Sequence, residues 1–106
     1  MRPWNERPQF WVLDGHEPRQ ADPLTWAQQF ENSDRIVAET VTAHGARIST
    51  VFMGVDMNYR GIGPPLLFES LVFGGRHAGN GMRYATWAEA EAGHAAIVAE
   101  AEGLNN

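Results

Sequence analysis

Apolar and polar residues alternate along this chain with two different periods. Phe10-Trp11-Val12-Leu13 is a short β-type run halted by Asp14-Gly15, and residues 14–21 read as a loop. Asp22-Pro23 then opens a helix, with Asp as N-cap and Pro at the first helical position. Leu24, Ala27 and Phe30 follow at helical spacing beside Trp26, and the helix is expected to end near Asn32-Ser33. Three β-type runs come next. The first covers Arg35 to Thr42. After the glycine-bearing break at residues 43–46, the second covers Arg47 to Asp56, with Ile48, Thr50 and Phe52 on one face and Val51, Met53 and Val55 on the other. A longer loop over 57–65 leads to the third, Leu66 to Phe73, and residues 74–83 form a glycine-rich loop. The best local signal is the capping box Thr86-Trp87-Ala88-Glu89. Behind it Trp87, Ala90, His94, Ile97, Val98 and Ala101 line one helical face, and Gly103 is the natural stop.

This order predicts one α+β domain over residues 1–106, with 1–9 an irregular N-terminal arm. Its centre is an antiparallel β-meander of about four strands, with one helix before the second strand and one at the C-terminus. Both faces of the middle strands are apolar, and two short helices cover only one well. A second copy of the chain, as a homodimer or higher homo-oligomer, or a ligand pocket is expected on the other face.

Charge narrows the class. There are 13 acids and eight bases, and every base is arginine, the residue whose forked guanidinium grips carboxylates and phosphates in pairs. Glu89, Glu91, Glu100 and Glu102 make the last helix acidic, and the first 86 residues are almost neutral. Neither part offers the clustered bases that a nucleic-acid duplex requires. Without cysteine, disulfides, thiolate catalysis and cysteine-based zinc sites are excluded. No metal site is expected, because the four histidines have no paired spacing, and no cofactor motif is present. Apolar stretches fall far short of the ~20 residues that span a bilayer, and residues 1–6 lack a signal-peptide core. A soluble intracellular protein is therefore expected.

Five segments then carry a resemblance: Arg35-Ile36-Val37-Ala38, Ile48 through Asp56 (I-S-T-V-F-M-G-V-D), Pro64 through Gly75 (P-P-L-L-F-E-S-L-V-F-G-G), Arg83 through Trp87 (R-Y-A-T-W) and Glu91-Ala92-Gly93-His94. Over about residues 35–98 the chain resembles a family of small proteins encoded by phages and prophages of high-GC bacteria. Met57 departs from the pattern, standing where the resemblance leads one to expect histidine. The resemblance implies a phage accessory protein in the cytoplasm of the infected cell and suggests antagonism of host defence. It implies no particular reaction.

The polar residues give three readings of that role. Glu69 lies in an apolar strand with Leu67, Leu71 and Phe73, His94 lies on the apolar helical face, and Asp56 ends the neighbouring strand. Buried carboxylates and imidazoles need partners, so Glu69 and His94 are expected to lie close together, or Glu69 to pair with an arginine such as Arg83. The leading reading is capture, without catalysis, of a small anionic, nucleotide-type ligand. Its binding residues are Tyr59, Arg60, Glu69, Arg76, Arg83 and His94. Asn58-Tyr59-Arg60 on the 57–65 loop offers an amide, a stacking face and a cation, while Arg76 and Arg83 come from the glycine-rich loop. These loops leave opposite ends of one strand, so two subunits would have to combine them. The second reading is a protein-binding inhibitor of a host defence factor. The third is a small hydrolase using His94 with Glu69 or Asp56, which no nucleophile or metal set supports. Trp11, Trp26 and Trp87 fit core positions, and Trp4 in the arm suits contact with a second chain.

Overall fold

A computed structural model describes residues 7–32 and 34–103. Trp4 and the rest of the arm up to Glu6 lie outside the described residues. In chain order the elements are β1 (Trp11–Asp14), β2 (Glu17–Gln20), α1 (Pro23–Asn32), β3 (Ile36–Val41), β4 (Arg47–Phe52), β5 (Phe68–Phe73), β6 (Gly81–Tyr84) and α2 (Trp87–Ala101). Strands β3-β4-β5-β6 form an antiparallel meander in sequence order, and β1-β2 form a separate hairpin. The fold is α+β.

Both helices begin where their caps predict. Asp22 accepts from the Thr25 backbone N–H at 2.8 Å and from its hydroxyl, and these bonds hold the Asp22 carboxyl below its ordinary range. Thr86 and Glu89 close the capping box of α2 from both sides. The polar stretch 14–21 departs from the expected loop. Gly15 takes a left-handed φ of 64°, which closes a tight turn and lets Glu-Pro-Arg-Gln pair with β1. Residues 81–83, assigned to the glycine-rich loop, instead form edge strand β6 together with Tyr84, which places Arg83 opposite Glu69. Strand β4 stops at Phe52, and the chain turns at Gly54, where φ is 69° and a Cβ would lie 2.6 Å from the Trp11 carbonyl oxygen.

Helix α2 lies across all four strands of the meander. Beneath it Phe52, Leu67, Phe68, Tyr84 and Ala90 form one core cluster, with Ala46, Ile48 and Val72 a second. Helix α1 contributes less and has no buried residue. Its Gln29 side chain accepts from Leu13 N–H and donates to Leu13 C=O, completing the exposed edge of β1. Trp26 packs at a tilt against Phe10 and donates to the Met53 carbonyl at 3.1 Å. The meander thus has one face sealed by α2, and none of the other described elements packs across the opposite face.

Candidate functional site

The sealed face carries a continuous polar chain. Alternation along β4 and β5 turns Thr50 and Ser70 toward α2, and helical spacing turns His94 toward them. The His94 ring bonds Thr50 Oγ1 through Nδ1 at 2.7 Å and Thr40 Oγ1 through Nε2 at 2.9 Å, and the Thr50 and Ser70 hydroxyls bond each other. Thr50 and Ser70 are wholly buried and His94 nearly so. Burial pushes the His94 pKa below the ordinary 6.5, since desolvation penalises the imidazolium. With both ring nitrogens bonded to hydroxyls and the ring under the helix, His94 holds α2 in register with the sheet.

The expected approach of Glu69 to His94 is therefore corrected. Glu69 neighbours Ser70 in the strand and projects to the other face, where it accepts from Arg83 Nε at 3.1 Å. Of the residues grouped with Glu69, Leu71 and Phe73 share its open face, whereas Leu67 precedes β5 and is buried in the core. Asp56 does not reach His94 either. Its buried carboxylate accepts from Arg7 Nε and from the N–H groups of Asn58 and Leu66. The hydrolytic pairing of His94 with either carboxylate has no counterpart in this geometry.

Asp56 and Arg7 instead organise the 57–65 loop. The two Nη groups of Arg7 donate to the carbonyls of Gly61 and Gly63, at 3.1 and 3.0 Å. Asn58 Nδ2 donates to the carbonyls of Ile62 and Pro64. Asn58 is thus spent inside the loop, not presented to a ligand as the sequence suggested. Arg7, assigned to an irregular arm, is the residue sequence reasoning missed. The pattern Asp-x-Asn followed by Gly61, Gly63 and Pro64 carries the signal of a side-chain-braced turn, but nothing local announces its remote arginine.

The brace presents a tip. Tyr59 is 81% exposed and Ile62 79% exposed, with Arg60 exposed between them. The Arg83 guanidinium stands 5.6 Å from the Tyr59 ring centroid, within cation–π reach. Glu69 engages its Nε, and among the described residues neither Nη group has a hydrogen-bond partner, so both remain free for a ligand oxygen. Four of the six sequence-derived residues, Tyr59, Arg60, Glu69 and Arg83, therefore gather at one end of β5.

Arg76 lies apart, at the other end of β5. It lines a groove of about 610 Å³ with His44, His77 and the acidic end of α2, where His77 Nδ1 is 3.8 Å from Glu100. Six strand residues separate the two ends by roughly 20 Å, so Arg76 and Tyr59 of one subunit do not share a small ligand. Among the described residues no three His, Asp or Glu side chains group as metal ligands. Comparisons with protein-family models, curated proteins and solved structures find no match to this chain.

Proposed function

We propose that this protein is a non-catalytic binding protein that captures a small anionic, nucleotide-type ligand on the surface formed by Tyr59, Arg60 and Arg83. The observation that carries this reading is the contrast in how side chains are used at the 57–63 tip. Arg7, Asp56 and Asn58 rigidify the loop with seven side-chain hydrogen bonds, yet the aromatic ring they hold in place is left in solvent. Ordering a loop in advance lowers the entropy lost on binding. An exposed tyrosine flanked by arginines offers a stacking face and charge-assisted hydrogen bonds to phosphate.

A homodimer deepens the site, because Arg76 reaches a ligand at Tyr59 only from a second copy. Val41, Leu71 and Phe73, uncovered on the open face, supply apolar area for such pairing. The resemblance to phage-encoded proteins supplies the setting: captured in the infected cell's cytoplasm, a signalling nucleotide no longer reaches the defence that reads it. One observation favours a second reading, a protein-binding inhibitor. Ile62 stands exposed beside Tyr59, and an aliphatic–aromatic–arginine tip has the composition of a protein hot spot.

Titration calorimetry with a panel of mononucleotides, cyclic nucleotides and dinucleotides tests the proposal. Binding of at least one member, weakened tenfold or more by Tyr59→Ala and by Arg83→Ala with the ligand recovered unchanged, is the expected result. No binding across the panel overturns it.

A further inference from the structure

The sheet edges of this chain are guarded unequally. Gln29 bonds the Leu13 backbone along the outer side of β1, and Pro18 interrupts β2. Strand β3 carries a bulge between Ile36 and Ala38 and an exposed Glu39. Strand β6, the other edge of the meander, pairs with β5 in unbroken register and contains no proline. Its Gly81, Met82 and Arg83 are exposed in succession.

The ladder decides which backbone groups of β6 are free. The Asn80 and Tyr84 carbonyls turn inward and accept from Val72 and Leu67. Alternation along an antiparallel strand therefore turns the N–H and C=O of Gly81 and Arg83 outward. The next outward N–H, that of Ala85, already donates to Glu89 at 3.3 Å. Gly81 and Arg83 thus present a short unpaired ladder, and what satisfies such a ladder is another strand.

We propose that this strand is β6 of a second copy, so that two copies join edge to edge into one continuous antiparallel sheet. A two-fold axis through Met82 sets the register. Gly81 then exchanges both backbone hydrogen bonds with the partner's Arg83, and Arg83 with the partner's Gly81, so every free group is used. An axis through Arg83 would oppose two guanidinium groups and require the Ala85 N–H that Glu89 already holds. An axis through Gly81 would oppose Arg83 to Gly79, whose N–H already bonds the Val72 carbonyl. With the axis at Met82, each Arg83 faces a glycine, and its aliphatic stem crosses the seam toward the partner's Leu71, the neighbour of that glycine. On the other face the two Met82 side chains meet, each 56% exposed in the single chain, beside a cleft of about 250 Å³ lined by Val72 and Ile97.

Antiparallel pairing also reverses the partner. Its 74–80 loop, remote from Tyr59 within one copy, stands at the Tyr59 end of the other. There the partner's Arg76 and His77 approach the Glu89 carboxylate at the start of α2, so opposite charges meet at both ends of the seam. The same reversal supplies the arginine that the Tyr59 surface takes from a second copy. That consequence rests on the proposed ligand capture, whereas the seam does not.

Sedimentation velocity and thiol cross-linking test the seam without any ligand. Because β6 has only four residues, a reversible monomer–dimer equilibrium is expected between micromolar and millimolar concentration. Met82→Glu, at an exposed position, should shift it to monomer with circular dichroism unchanged. The chain has no cysteine, so a single introduced thiol reports its own neighbourhood. Residues opposed at a non-hydrogen-bonded antiparallel pair lie within disulfide reach. Under oxidised glutathione, Met82→Cys should cross-link at least tenfold faster than Ile36→Cys on the opposite edge strand. Monomer at every concentration, equal cross-linking of the two variants, or a dimer that Met82→Glu leaves intact overturns the inference. Calorimetry with the nucleotide panel then tests the consequence. Binding weakened severalfold by both Met82→Glu and Arg76→Ala supports delivery of Arg76 across the seam, and binding that neither variant changes overturns that delivery. Absence of nucleotide binding alongside the Met82 cross-link rejects the ligand reading and upholds the seam.

Discussion

The two faces of the β3–β6 sheet put their polar and apolar side chains to different uses. Beneath α2 the chain buries Thr50, Ser70 and His94, all polar, while the opposite face leaves Val41 67% exposed and Phe73 44% exposed. The sealed side is also the more apolar one, holding Ile48, Phe52, Phe68 and Val72. Within it, small hydroxyl residues and Gly93 let α2 approach closely, and the hydroxyls satisfy the imidazole that comes with it. On the open face Glu39–Arg47 and Glu69–Arg83 pairs are interleaved with the apolar side chains, and Arg47 lies over Phe73 at 4.5 Å. The sealed face is where side chains maintain the fold, and the open face is where they remain available.

The largest expected break comes from closing the space that fit requires. A Cβ on Gly93 would stand 2.3 Å from two ring carbons and the hydroxyl oxygen of Tyr84. Alanine gains about 1 kcal/mol in helix propensity, but overpacking of this kind costs about 3 kcal/mol or more. Gly93→Ala should therefore lose about 2 kcal/mol or more in urea unfolding. Next comes Thr50→Val, which keeps the shape of the side chain and removes the hydroxyl joining His94 to Ser70. Left without that partner, the buried groups should destabilise the fold by about 1–2 kcal/mol, again read from the urea midpoint.

A gentler probe is pH. The folded His94 pKa is below its unfolded value, so the unfolded chain takes up the proton first. The stability linked to His94 is complete above about pH 6.5 and declines as pH falls through the lower folded pKa. Unfolding midpoints should drop between pH 7.5 and 5, and His94→Gln should flatten part of that slope. The smallest effect on stability belongs to the open side. Tyr59→Ala should change it by no more than about 0.5 kcal/mol while removing ligand binding. A large loss of stability in this variant would erase the contrast between the two regions.

The sequence made the meander and both helices legible, because Asp22-Pro23, the Thr86–Glu89 box and the alternation in β4 and β5 are local signals. Strand β2 was hidden because Glu-Pro-Arg-Gln has no apolar alternation and owes its pairing to the turn at Gly15. Strand β6 was hidden among glycines for the same reason. At the site, Tyr59, Arg60 and Arg83 could be picked out as exposed chemistry. The face of Glu69 could not, because Leu71 and Phe73 beside it read as core, whereas Ser70 and Val72 are the residues α2 covers. The Arg7–Asp56 brace links positions 49 apart, which no spacing rule reaches.

The account rests most directly on His94 being a sealed, neutral structural group. An NMR pH titration of the histidine Cε1–H resonances, assigned by His94→Gln, measures this. The account predicts a His94 midpoint below 6.5 that does not move when a bound nucleotide saturates the Tyr59 surface. A midpoint at or above 6.5, or one that shifts on ligand addition, would contradict it and place His94 within reach of the chemistry.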